Sequence, residues 1–297
     1  MCDSPKNLCI YYIILLQFDK LLFTIVVMMH KKSNIVVGIT TFHNEMLRIS
    51  VPALGKIRQK FTLIIYNDNP MTNVNRRCIR KLGYCGDLII INTDENIGQL
   101  RARMAIVDAA RDLRPEWIVF CDDDDILTDL EIPHVADDNF AIIQGGIILR
   151  HRVGDLLRAM ENPGDIDVDG ENTELVRPRL AVAGTPIRAK ALFGLAKIMP
   201  DMYDAIARID EKFEFYPPVD TMMWNFVNIY ARHVNPNAVP IYMDKINYIK
   251  NEIDTARMKY GRLARPVRNA DEHYRRAIEK YDTVLHDAIG VAAALRG

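Results

Sequence analysis

Four short apolar runs, rich in β-branched or aromatic residues and too brief for typical helices, constrain this chain most. They are Asn34–Thr40 (NIVVGIT), Phe61–Tyr66 (FTLIIY), Asp87–Asn92 (DLIIIN) and Trp117–Cys121 (WIVFC). Runs of this kind predict strands buried on both faces. Segments with helical spacing lie between them. Gln99–Leu113 places Leu100, Met104 and Val107 on one face, and Glu45–Lys60 does so with Met46, Ile49, Ala53 and Ile57, although Pro52 should break or delay that helix. The second run closes in the turn-rich Asn67-Asp68-Asn69-Pro70. Alternation of strand and helix predicts an α/β layer with a mainly parallel sheet flanked by helices.

Composition narrows the class of protein. The chain has 297 residues, 49 % of them hydrophobic and 26 % charged, enough apolar surface for one large domain or two small ones. Lys and Arg number 38 against 39 Asp and Glu. That balance lacks the basic excess a duplex nucleic-acid binder uses to displace counterions. The five cysteines are odd in number and form no CxxC, which fits a reducing, cytoplasmic setting. No HExxH and no finger-spaced Cys/His quartet supports zinc, and neither a GxGxxG nor a GxxxxGK[ST] phosphate loop occurs.

The two ends read differently from the body. Residues 1–30 form a hydrophobic leader in which Gln17, Asp19 and Lys20 divide Leu8–Leu16 from Leu21–Met29. A membrane span wants about 20 uninterrupted apolar residues. Two readings stay open: peripheral membrane association through this segment, or an added leader ahead of natural synthesis from Met28 or Met29. At the other end, Asn269–Leu295 predicts a packing or oligomer helix, with Ala277, Tyr281, Leu285, Ala288 and Val291 at helical spacing after a break at Pro266. The division is therefore a leader (1–30), an α/β body (31–250) and a C-terminal helical extension (251–297).

In a sheet of this type, ligands sit beyond the carboxyl ends of the strands. The first strand here ends in Thr40, Thr41, Phe42 and His43, the second in Asn67 and Asp68, and the third leads to Asn96, Ile97 and Gly98. The fourth ends in four consecutive aspartates, Asp122–Asp125. Adjacent carboxylates repel one another unless a cation relieves them. Side-chain alternation puts Asp122 and Asp124 on one side of an extended segment and Asp123 and Asp125 on the other. A divalent cation held between Asp124, with Asp122, and a diphosphate is one reading; a solvated acidic turn capping the next helix is the other. Competing acidic motifs fail on spacing. A haloacid-dehalogenase phosphatase needs Asp-x-Asp-x-Thr or Val, and the positions here are Ile126 and Leu127. Asp165–Gly170 opens like a calcium loop, but its twelfth position is Val176, not Glu.

As an ordered set, these features resemble the family-2 glycosyltransferases of the GT-A fold, a Rossmann-like arrangement. The match runs from about Asn34 to Leu127 and more faintly to about Lys250. The resemblance implies a nucleotide-binding half (31–127) and an acceptor half (128–250). It places Thr41 and Phe42 at the nucleobase pocket, with His43 where the family usually has Asn. Asn67-Asp68 stands for the family's Asp-Asp, so Asp68 is expected to read the base or ribose. Arg103, in Asn96-Ile97-Gly98…Ala102-Arg103, is expected to reach the nucleotide, and Met104 follows where Asn is common. Asp122, Asp123 and Asp124 stand for Asp-x-Asp, with Asp122 and Asp123 near the nucleotide sugar and Asp124, with Asp122, as the metal ligand. Ile209–Phe213 followed by Val219-Asp220 looks like the approach to the catalytic acid, where the family commonly has Glu-Asp. Asp220 is then the base, while as a residue it also suits the N-cap of a helix over Thr221–Tyr230.

The implied activity is metal-dependent, inverting transfer of a sugar from a nucleoside diphosphate sugar to an acceptor hydroxyl, with Mn2+ or Mg2+ as cofactor and a UDP-sugar favoured. The acceptor class stays open: a glycan, a lipid-linked sugar or another hydroxyl. Acceptor contacts are expected from Ala141–Arg150, where Gly145-Gly146 suggests close backbone approach, and from Gly184–Phe193. Two rivals remain. A nucleotidyltransferase shares the layout but usually has a Gly-rich loop near its first strand, where this chain has only Gly38. A degraded, nonenzymatic nucleotide-binding or scaffold protein is kept open by the departures at His43, Asn67, Met104 and Val219.

Overall fold

The computed structural model describes residues 34–151, 173–176, 181–209 and 219–253. Residues 1–30, the calcium-loop candidate Asp165–Gly170, Asp210–Phe213 and the expected helix over Asn269–Leu295 lie outside the described residues.

All four expected strands form, as β1 (Ile35–Thr41), β2 (Thr62–Asn67), β3 (Asp87–Asn92) and β4 (Trp117–Asp122). They pair in parallel in the order β3-β2-β1-β4. Alternate side chains leave the sheet on opposite faces, and each face has its own apolar cover. Val36, Ile64, Tyr66, Ile118 and Phe120 pack beneath α3 (Gln99–Ala110), α4 (Ala189–Ile209) and α5 (Val219–Val234). Val37, Ile39, Leu63, Ile65, Val119 and Cys121 face α1 (Leu47–Leu54) and α2 (Arg76–Lys81). Burial on both sides is why these strands read as unbroken apolar runs. Gly38 lets α3 lie close over β1, because a Cβ there would sit 2.7 Å from Ile106 Cγ2. Tyr84, buried behind α2, donates its hydroxyl to the Phe61 and Asp87 carbonyls and so ties the starts of β2 and β3 together.

α1 runs through Pro52 but spans only Leu47–Leu54, so it starts after Glu45 and stops two residues past the proline, short of the expected Lys60. The missing amide donor is tolerated because Leu47, Ile49, Val51 and Leu54 are all buried, so packing rather than the hydrogen-bond ladder holds these two turns.

Beyond β4 the sheet is mixed. β5 (Ile126–Leu127), β6 (Asn139–His151), β7 (Thr173–Val176), β8 (Ile187–Arg188) and β9 (Val239–Ile253) extend it to nine strands among the described residues. The short β8 is antiparallel to both β4 and β6 and joins the halves, while β6 and β9 run parallel. Their register shifts at Gly145 and Gly146, where the glycines accommodate a bulge. Within the two segments expected to meet an acceptor, Ala141–Ile143, Ile187, Ala189 and Leu192 are buried in the core. Among the described residues, no helix is long and apolar enough to cross a membrane.

Candidate active site

Register alone assembles the floor of the site. β1 aligns Thr41 with Asn67, β2 aligns Asn67 with Asn92, and Asp122 lies opposite Thr40. Polar ends of four parallel strands therefore form one row at the carboxyl edge, where α/β sheets bind ligands.

Several members of the row shape the backbone. Asn67, fully buried, donates from Nδ2 to the carbonyls of Asn69 and Thr72 and to Asn92 Oδ1. It pins the loop after β2. Asn69 and Asn44 carry that loop against the end of β1 by donating to the Phe42 carbonyl and to Thr72 Oγ1. Asp68 spends both carboxylate oxygens on backbone: Oδ1 accepts from the Ile97 amide at 2.8 Å and Oδ2 from the Gly98 amide at 2.9 Å. Those amides open α3, and Gly98 takes φ +83° there, a conformation that favours glycine. The carboxylate expected to read a base or ribose thus holds the Asn96–Gly98 turn. Phe42, the aromatic of the same set, is 42 % exposed at the rim.

The aspartate run alternates as expected. Asp123 and Asp125 are buried, whereas Asp122 and Asp124 are partly exposed. Each inward carboxylate has a partner. Thr41 Oγ1 donates to Asp123 Oδ2 at 2.7 Å, closing the end of β1 onto the loop after β4. Asp125 accepts from the Tyr248 hydroxyl at 2.7 Å and from the Asn251 amide at 2.8 Å. Burial, followed by the neighbouring charges of Asp124 and Asp122, pushes the Asp125 carboxyl well above the usual carboxylate range.

Arg103 is the centre of the outward side. It projects from α3, is buried, and lies over the Phe120 ring at 5.6 Å. Its Nη2 donates to Asp122 Oδ1 at 2.7 Å and its Nη1 to Asp220 Oδ1 at 2.6 Å. Burial alone would lower its affinity for a proton, but Asp220 and Asp122 outweigh that and hold the guanidinium above its already high range. Gln99 adds a donor to Asp122 Oδ1 at 3.1 Å. Where the resemblance expects Arg103 to reach a nucleotide, the side chain joins the end of β4 to the first turn of α5. A planar fork suits that task, because two carboxylates can be met at once.

The site therefore brings together Asp122, Arg103 and Asp220, and separately Thr41 and Asp123. Tyr248 and Asn251 of β9 are the members that sequence reasoning missed. The signal was weak: Asn247-Tyr-Ile-Lys-Asn251 carries no motif and no clear period. Among the described residues, no three His, Cys, Asp or Glu side chains gather as an unaided metal centre. The donor set still fits a hard divalent ion, which commonly takes one or two carboxylates and completes its shell with substrate phosphates and water. Asp122 and Asp124 are the partly exposed carboxylates of the run, and the other two are turned inward.

Residues 37–172 match the family model described as glycosyl transferase family 2. The matched stretch runs from β1 to just past β6, and the mixed, largely parallel sheet between helical layers agrees with the GT-A arrangement that the resemblance implies. Among solved structures, TarS of S. aureus is 14 % identical at a TM-score of 0.43, covering 73 % of this chain and 36 % of that one. TarS 1-349 in complex with UDP is 15 % identical at 0.41, covering 86 % and 70 %. The mannosyltransferase PcManGT of Pyrobaculum calidifontis, in complex with GDP-Man and Mn2+, is 11 % identical at 0.39, covering 89 % and 76 %. The chain spans about a third of the length of the first of these. A search of curated proteins finds no match.

Proposed function

From the match to the family-2 glycosyl transferase model and the site at the strand ends, we propose that this protein transfers a sugar from a nucleoside diphosphate sugar to an acceptor hydroxyl, with inversion at the anomeric carbon. The observation that carries the reading is Arg103, which links the Asp122 end of the acidic run to Asp220. A donor-side carboxylate and a candidate base are thereby fixed in one frame. A solvated acidic turn would not need a buried guanidinium between two elements.

In this reading Asp124 and Asp122 hold a divalent ion, Mn2+ or Mg2+. When bound there, such an ion would offset the negative charge that develops on the departing diphosphate. The exposed Phe42 ring lies against the nucleobase, with a UDP-sugar favoured on family resemblance. Asp68 and Thr41 keep the pocket's backbone in place. Asp220 takes the proton of the acceptor hydroxyl as its oxygen bonds to the anomeric carbon and the bond to the diphosphate breaks. One carboxylate and direct displacement give inversion, in contrast to the paired carboxylates of a retaining hydrolase. The odd cysteine count favours a cytoplasmic setting.

Calorimetric titration of UDP and GDP, with and without manganese, tests the donor site in the wild type and in Asp124→Ala. Manganese-dependent binding of one diphosphate, lost in the variant, is the expected result. Equal binding by both proteins would remove Asp124 from the site. No binding of either diphosphate would favour the scaffold reading.

A further inference from the structure

We infer that Tyr248, seconded by Asn251, is a positioning residue for the donor site: strand β9 sets the conformation in which Asp122 and Asp124 present their carboxylates. The inference rests on the proposed donor role of those two aspartates. Its geometric basis is independent of that role.

Tyr248 is fully buried. Its hydroxyl oxygen accepts from the Asp122 amide at 3.2 Å, and its proton goes to Asp125 Oδ2 at 2.7 Å. Three residues on, the Asn251 amide donates to Asp125 Oδ1, and the Asn251 side chain donates to the Asp124 carbonyl at 2.6 Å. Asp122, Asp124 and Asp125 are all gripped from one strand more than a hundred residues away in sequence. A tight turn within the run, Asp125 amide to Asp122 carbonyl at 3.2 Å, completes the shape.

Tyr248 is itself fixed from behind. Gly184 takes φ +77°, and a Cβ there would meet Tyr248 Cδ2 at 2.5 Å, so only glycine lets the ring seat fully. Gly184 donates its amide to the Phe120 carbonyl, and Asn247 Nδ2 donates to the Gly184 carbonyl at 2.7 Å. The ring is locked between β9 and the segment ahead of β8. Partners that orient ligands in this way typically change metal affinity by about 10- to 100-fold when removed.

Tyr248→Phe removes the hydroxyl and keeps the ring. Two measurements on the full chain decide the matter. Amide hydrogen exchange of the metal-free protein should show faster exchange at Asp122–Asp125, with β1 and β2 unchanged. Calorimetry with UDP or GDP should show about a tenfold rise in the manganese concentration needed for half-maximal binding. Affinity at saturating manganese should recover to within about twofold, which general loss of structure would not permit. Asn251→Ser should move the same two readouts in the same direction. If exchange at Asp122–Asp125 and the manganese requirement both stay at wild-type values in folded Tyr248→Phe, the inference is overturned. If the wild type binds neither diphosphate but the variant still exchanges faster there, the donor reading falls and the brace stands.

Discussion

Arg103 and Asp220 are separated by 117 positions in sequence, and their side chains meet at 2.6 Å. The same guanidinium reaches Asp122 at 2.7 Å, so one buried cation fixes the distance between the acidic mouth of the sheet and the start of α5.

Removing that cation leaves two carboxylates, each less than a fifth exposed, facing one another. Arg103→Met should cost about 3 kcal/mol of folding stability in chemical denaturation. Arg103→Lys keeps the charge but cannot form two forked contacts, and should recover less than half of the loss.

Asp220→Asn tests the base. The amide oxygen can still accept from Arg103, so diphosphate binding should persist, while loss of the charge that offsets the buried guanidinium should lower the melting temperature less than Arg103→Met does. Sugar transfer in a single-turnover assay should fall by about 100- to 10,000-fold. Transfer near the wild-type rate would take Asp220 out of the chemistry.

Thr41→Val replaces a hydroxyl by a methyl of similar size. It deprives buried Asp123 of the donor at 2.7 Å. A loss of about 2 kcal/mol in urea denaturation is expected, since bonds to charged acceptors are the stronger ones.

Tyr84 supplies a pH-dependent test away from the site. Burial, then the charge of Asp87, raises its phenol above the usual range. The folded protein keeps that proton to higher pH than the unfolded chain. Its contribution to stability is therefore full below about pH 10 and lost as pH rises through the raised folded value. Melting temperatures should run parallel in wild type and Tyr84→Phe below about pH 10 and fall more steeply in wild type above it. Profiles that stay parallel above that pH would contradict the assignment.

Much of the first half was legible in the chain. Val36, Val37, Ile39 and the runs at 61–66, 87–92 and 117–121 read as strands because each is too short for a typical helix and rich in β-branched or aromatic residues. The alternation of burial at Asp122–Asp125 matched the pattern an extended backbone would give, although β4 ends at Asp122 and the rest of the run is a tight turn whose inward carboxylates are placed by Thr41, Tyr248 and Asn251. α1 continues through Pro52 because it is held by its buried face, whereas propensity describes a lone helix.

What tertiary structure alone decided is the work each polar group does. The sequence marks Asp68 and Arg103 as site residues, but it cannot say that Asp68 is taken up by the Ile97 and Gly98 amides, or Arg103 by Asp122 and Asp220. Nor does anything local connect Tyr248 to Asp125. Apolar patterning depends on near neighbours and on the period of the backbone, so it is written along the chain. Hydrogen bonds between buried polar groups depend on which strand ends meet in space, and folding settles that only when β9 comes to lie beside β5 and the acidic run.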